Sequence, residues 1–325
     1  MVDENSLAER FQENRPRLRA VAYRMLGSLS ESDDALQEAW LRASGADTDE
    51  VRNFQAWLTT IVGRVCLNML RSRQQRAEDS LEIHIPDPVV CAEDDTNPET
   101  VAMTADSVGL AMMIVLDTLA PAERFAFVLH DMFAVPFEDI AEDLEKTPAA
   151  VRQLASRARR RVEGRAPVPD PDLAVQRMAV DAFFAAARNG DFEALVAVVH
   201  PDVVLRADGG VLRAGQSVTL SGAHEALVAV LHPDVVLRAD GGVLRAGQSV
   251  TLSGAHTVAS QAQLARTMAP YVQRVLINGT PGAFVVKDGK PISLMSFSVV
   301  DGKVASIQVI LDPERLDEVA LRLAA

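Results

Sequence analysis

Apolar residues in the first 76 positions recur at helical spacing. Leu18, Val21, Ala22, Met25 and Leu26 form one stripe. The run Ser30-Glu-Ser-Asp33 carries capping residue types and predicts a helix from Asp33 to Arg42. Phe54 to Arg73 predicts a third helix, with Trp57, Leu58, Ile61, Val62, Val65 and Met69 on its core side. The helical period returns at residue 108. Val108 to Leu119 predicts one helix, Pro121 opens another through Leu129, and Pro136 opens a short one ending near Leu144. Thr147-Pro148 then sets a capping hydroxyl and a first-position proline ahead of a last helix, to about Arg161.

From Leu173 the texture changes. Leu173 to Asn189 predicts a long helix carrying Met178, Phe183 and Phe184. Short β-rich runs follow at Val203–Leu205, Ser217–Leu220, Arg274–Ile277, Ala283–Val286, Ile292–Val300 and Val304–Leu311. Asp288-Gly289 and Asp301-Gly302 are hairpin signals. A closing helix follows Asp312-Pro313. Helices followed by a meander of strands predict two all-α domains and then an α+β domain. The boundaries are 1–76, an acidic linker at 77–107, 108–166, and 173–325. Pro86, Pro88, Pro98 and the acids of the linker do not suit a core.

A repeat interrupts the last domain. Residues 193–224 recur as 225–256, and the copies differ only where Val199 becomes Leu231. Two units do not make a solenoid. One copy fills the native slot, so the other must loop out, extend an edge or swap between chains.

Charge sharpens the picture. The net charge of −13 argues, taken whole, against nucleic acid. The charge is segregated, however. Arg64 to Arg76 holds four arginines and no acid, and Pro148 to Arg165 holds six arginines against Glu163 alone. Between them, Glu78 to Asp106 carries nine acids and no Lys or Arg. Two cysteines, Cys66 and Cys91, make no disulfide framework. The acidic start has no apolar signal region and no run spans a membrane, so a cytoplasmic protein is expected. No ligand cluster suggests a metal, and no cofactor is expected.

The stretch from Pro136 to Val162 has helix-turn-helix form. Val151, Leu154, Ala155, Ala158 and Val162 face inward, while Arg152, Gln153, Ser156, Arg157 and Arg160 form an exposed ridge. An arginine fork meets guanine O6 and N7 together, and glutamine meets adenine in the same way. Arg159 and Arg161 lie off the ridge, toward phosphate or solvent. Together with Leu119-Ala-Pro-Ala-Glu-Arg124, this region resembles the C-terminal DNA-binding domain of extracytoplasmic-function (ECF) sigma factors. The resemblance implies upstream promoter recognition and contact with the polymerase β flap. Arg152, Gln153, Ser156 and Arg157 fall on the base-contacting positions.

The first domain agrees. Tyr23-Arg-Met-Leu-Gly27, Asp34 to Arg42 and Phe54-Gln-Ala-Trp-Leu58 resemble the sigma domain that docks on the β′ clamp of core RNA polymerase. Asp34, Gln37 and Glu38 match its binding motif, beside Trp40. Arg64, Asn68, Arg71 and Arg73 fall on the helix that, by the same resemblance, reads the separated downstream strand. Trp57 is expected in the core. The linker is expected to thread along the polymerase.

Residues 173–325 resemble the SnoaL-like cone of the nuclear-transport-factor-like fold, which a group of ECF sigma factors carries fused. Three marks of that group fall here on Pro86-Asp87-Pro88, on Asp208-Gly209-Gly210 (copied at 240–242), and on Asp312-Pro313-Glu-Arg315-Leu316. The resemblance implies regulation of the sigma domains in cis and a cone with room for a small ligand. Two rivals stay open at this point. One is a regulator that binds DNA without polymerase. The other is a DNA-tethered cyclase using His200 and His232.

Overall fold

The structure is a computed structural model. It describes residues 4–48, 51, 53–76, 85–92, 108–163, 169–189, 199–208, 238–240, 249–253, 268 and 270–324. These fall into two compact units. One is helical and runs within 4–76 and 112–163. The other is built on a sheet and takes 85–92, 109–111 and 169–324.

The helical unit opens with α1 (Glu4–Leu26), α2 (Leu29–Ser44) and α3 (Phe54–Arg76). The stripe of α1 is fully buried as its spacing predicts. Gly27 at φ 73° ends α1, and its N–H returns to the Tyr23 carbonyl at 2.8 Å. Only Ser28 separates it from α2. The expected cap at Ser30–Asp33 is therefore one turn late: α2 starts at Leu29, and Ser32 is buried within it.

The second part has α4 (Leu110–Asp117), α5 (Pro121–Phe127), α6 (Phe137–Asp143) and α7 (Pro148–Glu163). A π turn at Val128–Met132 follows α5. Thr147 caps α7, its Oγ1 accepting the Ala150 N–H at 3.2 Å. Val151, Leu154, Ala155, Ala158 and Val162 are buried, as the period requires.

In the second unit α8 (Leu173–Asn189) spans its predicted range. Its Phe183 and Phe184 meet Phe297 edge-on at 5.5 and 5.6 Å. The strands are β1 (Val90–Ala92), β2 (Val199–Asp208), β3 (Arg238–Asp240), β4 (Ser249–Ser253), β5 (Val272–Ile277), β6 (Thr280–Lys287), β7 (Lys290–Val300) and β8 (Lys303–Ile310), followed by α9 (Pro313–Ala324). The sheet order is β1-β5-β6-β7-β8-β2-β4-β3. The meander β5 to β8 is antiparallel, but β2 joins β8 in parallel. Its hairpins turn at Asn278-Gly279, Asp288-Gly289 and Asp301-Gly302, with both residues of each pair at positive φ. The Asn278-Gly279 turn adds to the two that the Asp-Gly pairs predict.

The linker assignment needs correction. Residues 85–92 belong to the sheet unit, and β1 pairs with β5 through Val90↔Ile277. Asn278 holds the incoming chain twice. Its N–H donates to the Val89 carbonyl at 2.8 Å, and its Oδ1 accepts the Val89 N–H at 2.9 Å. The physical reason is local: Ile85, Val89, Val90 and Cys91 are buried, and four apolar side chains outweigh the surrounding acids. The acidic stretches on either side, and the predicted strand at 217–220, lie outside the described residues.

The duplication has a specific structural outcome. The first copy supplies β2, and the second supplies β4 and β3. Thr251 of β4 stands opposite Arg206 of β2 on one side and Arg238 of β3 on the other. Arg206 and Arg238 are the same position of the repeat. The second copy thus extends the sheet beyond β4, the edge extension that the repeat allowed.

Candidate nucleic-acid and polymerase interfaces

On α7, Arg152, Gln153, Arg157 and Arg160 are exposed and Ser156 is half-buried. The ridge therefore stands on the solvent side of a buried stripe. Its arginines are not loose. Arg152 donates to Glu138 of α6 at 2.8 Å and lies 5.4 Å from the centre of the Phe137 ring. Arg157 and Arg161 donate to the two carboxylate oxygens of Glu123 on α5, at 3.0 and 2.7 Å. Arg159 pairs with Asp131 of the π turn, whose hydrogen bond raises the guanidinium's pKa. Among the described residues Arg160 reaches the Ser156 carbonyl alone, at 3.4 Å. The Arg152–Glu138 pair, exposed on both sides, adds about 0–1 kcal/mol to stability, so its main effect is on orientation.

The arginines of α3 divide. Asn68 and Arg71 are exposed. Arg64 is bonded to Asp143 at the end of α6, whose side chain is fully buried. Burial pushes the Asp143 carboxyl up to about 6, against the pull of Arg64. Arg73 is half-buried and departs from its expected role. It donates to the Leu26 carbonyl at 3.3 Å and pairs with Glu31, bracing α3 against α1 and α2. Trp57 also departs from expectation, being half-buried rather than in the core. Phe54 sits 5.2 Å from it, and the Arg10 guanidinium lies 5.3 Å from the Phe54 ring centre. Phe54 was readable as an aromatic at the helix start, but its spacing alone did not mark it as surface.

On α2, Asp34, Gln37 and Glu38 are exposed and Trp40 is half-buried. Trp40 packs edge-on against Phe11 of α1 at 5.2 Å. Phe11, Arg15, Asp34, Gln37 and Trp40 line an open groove of about 370 Å³. Leu41, 62% exposed, adds an apolar knob that the polar motif did not flag. An acid–amide row beside an aromatic cleft suits a charged, partly apolar partner.

Arg124 plays an internal role. It is 1% exposed, donates to Asp117 at 2.8 Å and to the Arg24 carbonyl at 3.0 Å, and so ties α5 to α1. Burial draws its guanidinium down from the usual range, and Asp117 works against that.

In the sheet unit, two of the three marks touch. Arg315 donates to the Ile85 carbonyl at 2.6 Å and the Pro86 carbonyl at 3.1 Å, and lies 3.5 Å from the Asp87 carboxylate. Asp312 caps α9 by accepting the Arg315 N–H at 3.1 Å. Pro86, Pro88 and Leu316 are buried, and Pro313 is the first residue of α9. Asp208 ends β2 opposite Ile310, just before that cap. Gly209 and Gly210 lie outside the described residues, as does His232; His200 lies in β2. Among the described residues no group of His, Cys, Asp or Glu could hold a metal, and no helix is long and apolar enough to cross a membrane.

Comparison with known proteins joins these surfaces. Residues 10–76 match the family model for Sigma-70 region 2, and residues 111–162 match that for Sigma-70, region 4. The ECF RNA polymerase sigma factor SigJ of Mycobacterium tuberculosis is 42% identical over 200 residues, which cover 61% of this chain and 64% of that one. This chain therefore spans just under two thirds of that relative. The probable ECF RNA polymerase sigma factor SigI of the same species is 32% identical over 211 residues, covering 64% of this chain and 72% of the relative. The crystal structure of M. tuberculosis SigJ superposes with a TM-score of 0.68 at 30% identity, covering 95% of this chain and 98% of that one. The chain belongs to the ECF RNA polymerase sigma factors.

Proposed function

We propose that this chain binds core RNA polymerase and directs it to specific promoters, in the cytoplasm where the polymerase works. The observation that carries the proposal is the α7 ridge, a row of exposed, oriented arginines over a buried stripe. Arg152, Gln153, Ser156, Arg157 and Arg160 read the upstream element, with Arg159 and Arg161 toward phosphate. The α2 surface of Asp34, Gln37, Glu38 and Trp40, with Leu41 added, docks on the β′ clamp, and the α4–α7 domain touches the β flap. On α3, Arg64, Asn68 and Arg71 follow the separated downstream strand, with Phe54 and Trp57 as stacking surfaces. Arg73 is left out of that set because it braces the helix.

The sheet unit regulates in cis. Support comes from its hold on the chain between the sigma domains, through the contact of Arg315 with residues 85–87. The proposal gives the chain no covalent chemistry of its own.

Transcription by reconstituted polymerase tests this directly. The full chain is expected to start transcripts at selected promoters, and R152A/R157A is expected to lose upstream selectivity. Selectivity retained in that variant overturns the α7 assignment. Gln37→Ala with Glu38→Ala should abolish co-purification with core polymerase at low salt. If it does not, the α2 assignment fails.

A further inference from the structure

One buried acid stands behind the ridge. Glu123 is 6% exposed and lies in the first turn of α5, where a helix favours an anion. Its Oε1 accepts from Arg157 Nε at 3.0 Å, and its Oε2 accepts from Arg161 Nη1 at 2.7 Å. The two arginines are one helical turn apart on α7, so a single carboxylate spans both. The grip on Arg157 is at Nε. Neither of its terminal amino groups is bonded to another described residue, and that pair forms the fork that meets guanine O6 and N7.

We propose that Glu123 is a positioning residue for promoter recognition. It holds Arg157 with its fork outward and fixes Arg161 beside it. The proposal rests on the assignment of α7 to DNA. It touches no base itself, and it acts through the two arginines.

Removing the carboxylate has two effects of opposite sign. Arg157 and Arg161 regain rotamer freedom and must be immobilised at binding, which weakens the specific site. An anion near the phosphates also disappears, which strengthens binding to any sequence. A residue acting by charge alone would move both affinities the same way.

The full chain, assembled with core RNA polymerase, is used to enrich a duplex from a randomised pool. That duplex and an unrelated one are then titrated at one salt concentration. Wild type, E123Q, R157A/R161A and the triple variant are compared, with thermal melts alongside. E123Q leaves one acceptor for two arginines and is expected to lower the ratio of specific to unrelated affinity several-fold, roughly the cost of immobilising one long side chain. It is also expected to raise affinity for the unrelated duplex. In the R157A/R161A background, adding E123Q should leave the ratio unchanged.

An unchanged ratio for E123Q overturns the proposal, as does an equal fall in the R157A/R161A background. If E123Q does not fold, E123D decides. It keeps the charge and retracts the carboxylate, so the ratio should still fall; an unchanged ratio overturns the proposal. Failure of the wild type to enrich any duplex brings down the DNA assignment of α7 itself, and this proposal with it.

Discussion

Two basic helices, α3 and α7, hold their arginines in different ways. On α7 the partners come from the same helical domain, within residues 108–166: Glu138 for Arg152, Asp131 for Arg159, Glu123 for Arg157 and Arg161. On α3 the partner of Arg64 comes from that other domain, while Arg73 is held within its own. Asp143 is 79 residues from Arg64, and Glu31 is 42 residues from Arg73. The set of α7 is fixed by its own fold and survives any movement of that fold as a body. The set of α3 depends on what packs against it, and Arg64 would be released if α6 moved away. A basic helix is therefore read best through the domain that supplies its carboxylates, not through its arginine count.

The largest expected effect comes from cutting the α7 set. R152A and R157A each remove an oriented fork, and each should cost about 1–3 kcal/mol of discrimination between matched and mismatched upstream duplexes. Competition binding against a single-base-changed duplex measures this. The thermal stability of R152A should stay close to wild type, because its pair with Glu138 is exposed on both sides, whereas R157A takes one partner from the buried Glu123 and should lose some stability.

The next effect tests α3 through its distant partner. Asp143 has a folded-state pKa of about 6, raised chiefly by burial, above the ordinary carboxylate value near 3.9. Between those two values the folded state binds more protons than the unfolded one. Stability from this site is therefore present at acid pH and lost as pH rises toward 6. D143N removes the buried charge and keeps an acceptor for Arg64. It should gain about 2 kcal/mol over wild type at pH 7, an order-of-magnitude value, and nothing at pH 4. Chemical denaturation at the two pH values reads both. A gain of equal size at both pH values would rule out the carboxylate's titration as its source.

The same contrast explains how much of the molecule was legible in its residues. The stripe and cap of α7 are local, so the spacing of Val151, Leu154, Ala158 and Val162 with Thr147 located the helix and its outward ridge. The hairpin pairs Asp288-Gly289 and Asp301-Gly302 are equally local. What stayed hidden depends on remote partners. Arg73 looks like any solvated arginine until Leu26 and Glu31 meet it. Residues 85–92 read as linker because their strand partner lies at 275–277. Glu123 lies within Leu119–Arg124, where nothing in the local sequence marks that α7 rests on it.

A smaller effect separates two neighbours on α3. Arg71 is exposed and makes no bond to another described residue, so R71A should leave stability unchanged. If it follows the strand backbone, R71A should also lower the salt dependence of single-strand binding by about one ion. R73A should do the reverse: it loses a half-buried ion pair and a carbonyl contact, about 1 kcal/mol of stability, with little change in the salt slope. If R73A moves the slope and R71A does not, the division of α3 into reader and brace is inverted.

The smallest effect is expected where the chain changes most. Removing residues 209–240 deletes one repeat unit and joins Asp208 directly to Gly241. The product retains β2 and β4, with eight residues between Asp208 and Ser249. The pairs Arg206↔Thr251 and Ala207↔Val250 can form as they do now, and among the described residues the loss is the three-residue β3. Deleting 193–224 instead yields the same chain except for Leu in place of Val199, because the copies differ only there. Either deletion should keep the sheet by circular dichroism and change stability by less than about 1 kcal/mol, the cost of one short edge. Upstream discrimination should not change, since the bonds that orient the α7 arginines all lie within the helical unit. Loss of the sheet in both deletions would show that β3 is needed to hold β4, and that the second copy has become part of the fold rather than an addition to its edge.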